Sequence, residues 1–352
     1  MSKSRVAIIG AGIGAQHLEG YLALPDRFEV RAICDLDAAR AAQLCRDSGA
    51  DYAADVDAVL GNSEIDIIDI CLPPHLHFDM ICTALKAGKH VICEKPLAAS
   101  LAEVDALAVV ADQTGKQVFP VFQYRFGHAT DQLRALQVSG LAGKAYVATL
   151  ETHWNRDADY YAIPWRGTWA GEQGGAVLGH AIHIHDWITG ILGPVASVFA
   201  ELGTRVNDIE TEDCGALSIR MKSGALVTSS ITLGAADDTS RMRFVFDGVT
   251  AESGRVPYAP AQGCWTFTAR APVSQADVDA VVNSIETPLA GYAGLFAAIA
   301  DALLGDVTRA VTLNDGRRSL EFVTAVYSSA RSGLRVDLPL AADHALYKGW
   351  LL

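Results

Sequence analysis

A short β-branched run, Arg5 to Ile9, passes directly into Gly10-Ala11-Gly12-Ile13-Gly14-Ala15 and then into an amphipathic stretch. That order satisfies G-x-G-x-x-G/A, with Gly10, Gly12 and Ala15 in the three positions, and it leaves few folds open. Gly10 permits the tight turn, Gly12 lets backbone approach a pyrophosphate, and small Ala15 lets helix and strand pack, while the helix start offers N–H groups to an anion. About 20 residues beyond the motif, Asp35 ends a second β-branched run, where a carboxylate reaches ribose hydroxyls. Gly10, Gly12, Ile13, Gly14 and Asp35 are therefore candidate dinucleotide-binding residues. Asp35 and nearby Asp37 would repel a 2′-phosphate, so NAD is favoured over NADP, with Arg40 the opposing feature.

The same alternation of short apolar runs and amphipathic stretches continues to about residue 122 and predicts a doubly wound parallel sheet. Its strands fall at Arg5 to Ile9, Phe28 to Cys34, Ile67 to Cys71, His90 to Cys93 and Gln117 to Phe122, with helices between them. From Tyr124 onward the rhythm changes to long strands joined by short turns such as Lys222-Ser223-Gly224, with helices interspersed. The expected fold is an N-terminal Rossmann domain over residues 1–123 and a C-terminal α+β domain over residues 124–352. The second domain would carry a large, mostly antiparallel, open-faced sheet, and would serve for substrate binding and oligomerisation.

Composition narrows the functions. A formal net charge of −13 sets up no positive field for nucleic acid, and no run of about 18 apolar residues marks a membrane span. The Met-Ser-Lys-Ser start leads straight into a strand rather than a signal peptide, which points to the cytoplasm. Seven cysteines are scattered with no C-x-x-C pair, so neither a zinc site nor a disulfide framework is indicated.

Cys93-Glu94-Lys95-Pro96 ends the fourth strand and places a lysine at the carboxyl edge of the sheet, where open α/β folds bind ligands. An ammonium held there could grip a substrate hydroxyl and ease its proton away. Together with the glycine motif, the runs Pro73-Pro74-His75-Leu76-His77, Ala87-Gly88-Lys89-His90 leading into Glu94-Lys95-Pro96, Arg125-Phe126, and Thr211-Glu212-Asp213 followed by Ser223-Gly224-Ala225 resemble the Gfo/Idh/MocA family, the glucose-fructose oxidoreductase and inositol dehydrogenase group. The resemblance implies that Lys95 binds substrate and handles its proton, that Glu94, Pro73 and His77 lie near the nicotinamide, and that the Lys95–Pro96 peptide is cis as in some relatives. It also implies a homodimer or homotetramer.

A second family signature, a glycine-rich turn followed by aspartate, histidine and aspartate, is matched in part by Gln173-Gly174-Gly175 through His183 and Asp186. His183 stands at the catalytic histidine, but Gly179 replaces the usual aspartate, with His180 beside it. Lys95 and His183 are thus the expected acid–base pair, helped by His180 or a tyrosine. The stretch from His153-Trp154-Asn155-Arg156 through Tyr160, Tyr161, Trp165 and Arg166 reads as a substrate wall, since aromatic faces suit sugar C–H faces and arginine forks suit hydroxyls or carboxylates. His180, His183 and His185 do not share one helix face, so no metal is expected. The sequence therefore predicts an NAD-dependent dehydrogenase passing hydride between nicotinamide and a hydroxyl-bearing carbon of a sugar, polyol or sugar acid. Open alternatives are NAD held and recycled in oxidoreductive epimerisation or glycoside cleavage, a dihydrodiol or biliverdin-type reductase, and a non-catalytic NAD-binding sensor.

Overall fold

Six parallel strands build the first sheet: β1 (Ser4–Ile9), β2 (Phe28–Cys34), β3 (Asp51–Ala53), β4 (Ile67–Ile70), β5 (His90–Cys93) and β6 (Val118–Pro120). The computed structural model describes residues 3–287 and 289–351. Strand order is β3-β2-β1-β4-β5-β6, which reverses direction of growth between β1 and β4, the switch point at which doubly wound sheets bind ligands. β4 reads Ile-Ile-Asp-Ile and is buried throughout, as a strand covered on both faces must be. Asp69 in its middle consequently needs partners inside the protein.

Helices α1 (Gly14–Leu22), α2 (Ala38–Ser48), α3 (Val56–Gly61), α4 (His77–Lys86) and α5 (Leu101–Thr114) link these strands. Their ends follow local chemistry. Asp37 caps α2 by accepting from the Ala39 and Arg40 N–H groups, and α2 stops at Gly49 in the left-handed region. Ser100 caps α5 through the Glu103 N–H while Glu103 accepts from Ala99, a pair of contacts of the kind that contributes about 1 kcal/mol.

The second sheet has eight strands: β7 (Ala145–Asn155), β8 (Val195–Gly203), β9 (Cys214–Met221), β10 (Leu226–Thr232), β11 (Gly234–Phe246), β12 (Val249–Glu252), β13 (Thr266–Ala269) and β14 (Val336–Asp337). Their order is β13-β12-β11-β7-β10-β9-β8-β14, antiparallel at every neighbour pair except β10–β7. β7 buries Ala148, Leu150, Thr152 and Trp154 and turns the residues between them outward, the period of two that a one-sided sheet requires. Further helices are α6 (His128–Val138), α7 (Trp169–Glu172), α8 (Ile182–Leu192), α9 (Gln275–Asn283), α10 (Gly291–Leu303) and α11 (Leu313–Ser332). On the buried face, Trp187 of α8 meets Phe244 edge-on at 5.4 Å, and its indole N–H donates to Thr130 on α6.

The chain forms two units. One holds the residues up to Gln123 with Tyr292–Arg318; the other holds Tyr124–Gly291 and the residues from Ser319. Within the first unit, Phe296 stacks on Tyr21 with centroids 4.1 Å apart and planes 3° from parallel. Gly20 makes this approach possible, because a Cβ there would lie 2.9 Å from both Phe296 and Tyr292. Among the described residues no helix is long and apolar enough to cross a membrane.

Candidate functional site

In the first unit the glycine turn lies between β1 and α1. Gly10 has φ +102°, and a Cβ on it would sit 2.4 Å from the Cys71 carbonyl oxygen, so only glycine fits. A Cβ on Gly12 would meet nothing within 4 Å, which leaves that peptide open to an incoming group. Gly14 also lies close to the strand: a Cβ on it would lie 2.8 Å from Ile8. No side chain caps α1 at Ile13, so no side-chain oxygen of its own occupies the helix start where an anion would bind. Asp35 follows β2 and accepts from the Ala11 N–H at 2.6 Å and the Asp37 N–H at 2.7 Å. Partial burial opposes its charge, but those donors and the Arg40 guanidinium hold its carboxyl below the ordinary range. An open glycine peptide, an uncapped helix start and a charged carboxylate together fit a dinucleotide whose ribose carries free hydroxyls.

Lys95 follows β5 at the carboxyl edge, half-buried, between buried Glu94 and Pro96, and the Lys95–Pro96 peptide is cis. Glu94 accepts from the Lys95 N–H at 3.1 Å and faces His17 Nε2 at 3.1 Å. Pro73 precedes a 3-10 turn, Pro74–Leu76, and His77 opens α4 fully buried, its Nδ1 2.6 Å from the Pro96 carbonyl and its Nε2 2.8 Å from that of Leu72. Sequence reasoning passed over His17. A signal was available in Asp69, a carboxylate inside an all-apolar strand, which demands a buried cation or donor. His17, Asp69 and Cys71 form a group close enough to hold a metal, but His17 Nδ1 already lies 2.9 Å from Asp69. Burial, reinforced by Asp69, pushes the Cys71 thiol up to about 12, so it stays protonated and is no ready ligand.

The second unit carries the histidine signature on a π-helical turn, Val177–Ala181, followed by α8. Glu212 anchors the start of this segment: its carboxylate accepts from the N–H groups of Gly175 at 3.1 Å and Val177 at 3.0 Å, and from the Tyr327 hydroxyl at 3.0 Å. A Cβ on Gly175 would stand 1.9 Å from the Glu212 carbonyl oxygen, and one on Gly174 2.5 Å from the Tyr327 hydroxyl, so neither position has room for a side chain. The three histidines diverge. His183 is buried and stacks on Tyr124 at 4.6 Å; His180 faces the Tyr160 hydroxyl at 3.4 Å; His185 contacts Ser229 at 2.9 Å, and burial holds it neutral down to about 3. Asp186 is clasped by the Arg125 fork through two contacts of 2.6 Å, so Arg125 and Asp186, both buried, orient α8. At Gly179 a Cβ would meet nothing within 4 Å.

The segment after β7 folds over this region. Arg166 lies 4.0 Å over the Tyr160 ring and donates to its hydroxyl, while Trp165 flanks the same guanidinium at 4.7 Å. Tyr161 meets Tyr160 edge-on at 5.0 Å. Arg156 sits among the rings of Trp154, Tyr160 and Tyr258 and pairs with Asp238 at 3.1 Å. Tyr160, Arg166 and His180 are therefore contiguous, with Tyr161 and Trp165 around them. Tyr258 joins this wall from beyond β12, too far along the chain for local pattern to reveal.

Residues 4–122 match the GFO_IDH_MocA oxidoreductase family with its NAD-binding Rossmann fold, and residues 130–252 match the GFO/IDH/MocA C-terminal domain. The D-glucoside 3-dehydrogenase of Escherichia coli strain K12 is 28% identical over 364 residues, covering 96% of this chain and 98% of that protein. An uncharacterized oxidoreductase of Synechocystis, sll0816, is 30% identical over 211 residues; that match takes in 57% of this chain and 54% of the relative. Among solved structures, the WlbA dehydrogenase of Bordetella pertussis, in complex with NADH and UDP-GlcNAcA, superposes with a TM-score of 0.84 at 26% identity, over 97% of this chain and all of that one (100%).

Proposed function

Because the chain belongs to the GFO/IDH/MocA oxidoreductase family, we propose that it is a dehydrogenase moving hydride between NAD and a hydroxyl-bearing carbon of a sugar, polyol or sugar acid, with Lys95 and His183 handling the proton. The observation that carries this reading is Lys95 at the carboxyl edge of β5, held between Glu94 and Pro96 next to the switch point of a dinucleotide-binding sheet. NAD, when bound, supplies the nicotinamide carbon that accepts the hydride. Lys95 binds the substrate hydroxyl, and as the carbinol carbon loses hydride that hydroxyl sheds its proton, which a neutral amine or imidazole takes up. His183, buried against Tyr124, is the second proton-handling group, and His180, 3.4 Å from the Tyr160 hydroxyl, is its candidate helper. The wall of Tyr160, Tyr161, Trp165 and Arg166 offers apolar faces and guanidinium donors to a ring of hydroxyls.

A sugar-directed reading draws support from the names of relatives: a glucoside dehydrogenase in Escherichia coli, a myo-inositol 2-dehydrogenase in Thermotoga maritima, and a dehydrogenase crystallised with a nucleotide-linked sugar acid. The test is NADH formation from NAD+ with methyl glucosides, myo-inositol, D-xylose and UDP-GlcNAcA. Lys95→Met should abolish turnover on the best substrate while sparing NAD+ binding by calorimetry. Turnover by that variant at the wild-type rate would refute the assignment.

A further inference from the structure

His17 lies three residues beyond the glycine turn, completely buried with both ring nitrogens against carboxylates. Nδ1 lies 2.9 Å from Asp69 and Nε2 3.1 Å from Glu94. A neutral imidazole has one N–H to give, so two acceptor-only partners call for the doubly protonated ring. We propose that His17 is a positioning residue: a permanently charged imidazolium that, through Glu94, fixes the Glu94–Lys95–Pro96 turn and thereby the amine of Lys95. This rests on the role proposed above for Lys95.

The link is short and has no slack. One oxygen of Glu94 takes the histidine contact and the other accepts the Lys95 backbone N–H at 3.1 Å. Across the turn, His77 holds the Pro96 carbonyl at 2.6 Å, so both neighbours of Lys95 are pinned by histidines while its own side chain stays only half-buried. Every group facing His17 favours its charge or excludes water. Asp69 is steadied by the Tyr21 hydroxyl at 2.9 Å, the Cys71 thiol lies 3.4 Å from Nδ1, and the Tyr292 and Phe296 rings cover the imidazole at 4.7 and 5.5 Å. Burial alone would drive the proton off, but Asp69 outweighs it and holds the ring's proton well above the ordinary histidine range. Without the imidazolium, two carboxylates would share a dry pocket uncompensated, and Glu94 could meet that only by moving or by taking a proton. Either response releases the Lys95 N–H.

The experiment compares His17→Gln with wild type in two readouts. Hydrogen exchange at the amides of residues 94–98 should quicken at least about tenfold while strands β1 and β4 keep their protection. With the best sugar from the panel above, kcat should drop on the order of 100-fold, NAD+ affinity should hold, and the pH–rate profile should gain an acid limb from the uncompensated carboxylate. Asp69→Asn combined with His17→Gln, which removes both charges, should recover part of the loss. If His17→Gln does not fold, Glu94→Gln tests the same link from its other end: exchange at residues 94–98 should quicken and kcat should drop, without a new acid limb because the carboxylate is gone, and wild-type exchange and kcat in that variant overturn the proposal. A folded variant with wild-type exchange at 94–98 and wild-type kcat overturns the proposal. So does exchange that quickens equally across the whole sheet, since that is a purely structural loss. Normal turnover by Lys95→Met would sink the earlier assignment instead, and the exchange measurement would still decide this one.

Discussion

At the scale of single residues, Gly179 is the position at which the resemblance implies an aspartate. It sits in the π-helical turn, and a Cβ there would meet no atom within 4 Å, so crowding does not exclude a side chain. Gly179→Asp should therefore fold with stability within about 1 kcal/mol of wild type, aspartate being a slightly better helix residue than glycine. A carboxylate placed one turn before His183 would favour the protonated imidazole. If His183 must be neutral to accept the substrate proton, the acid limb of the pH–rate profile should move up by about one unit in Gly179→Asp and not in Gly179→Asn. An unmoved limb would remove His183 from the proton pathway. Gly10 and Gly14 teach a related lesson. The motif was readable, but the need for glycine at position 14 was not, because its approach to Ile8 depends on where α1 begins.

At the scale of elements, Glu212 is a structural acid that ties the start of the π-helical segment to Tyr327 on α11. Burial raises its carboxyl to about 7 from an ordinary 4.5, against the pull of the Val177 and Gly175 N–H groups and the Tyr327 hydroxyl. Between those two pH values the folded chain keeps a proton that the unfolded chain has released, so this group's contribution is full below 4.5 and is lost as pH rises to 7. The loss is on the order of 3 to 4 kcal/mol at roughly 1.4 kcal/mol per unit. Glu212→Gln should be less stable than wild type at acid pH, and the gap measured by urea unfolding should narrow toward neutrality. A gap that widens with pH would show the carboxylate, not the acid, to be the stabilising form. The sheet strands around such anchors were legible where apolar runs were long, as at Phe28–Cys34 and Cys214–Met221. β3 was not, since Asp51-Tyr52-Ala53 is short and solvent-facing, and the π turn was not, because no local pattern distinguishes it from the α-helix it leads into. The partnership of His17 with Asp69 and Glu94 spans three elements far apart in sequence, so only the folded register of β1, β4 and β5 brings it into being.

At the scale of the whole molecule, the outward face of the eight-stranded sheet is the feature that internal packing leaves unexplained. Val147 and Leu226 are paired across β7 and β10, and Phe199 on β8 lies on the same face one register step along; all three are exposed. Threonines 149 and 228 and the long side chains of Arg220 and Arg243 surround them, the mixture of an apolar centre and a polar rim that specific interfaces carry. Purified chain of 37.4 kDa should therefore run as a dimer or tetramer by light scattering at micromolar concentration. Leu226→Glu should shift that mass toward the monomer. The same change should cost the protomer no more than about 0.5 kcal/mol, because the side chain is already in water when the protomer stands alone. A wild-type chain that is monomeric, or an oligomer indifferent to Leu226→Glu, would assign this face to solvent and require any assembly to be built elsewhere.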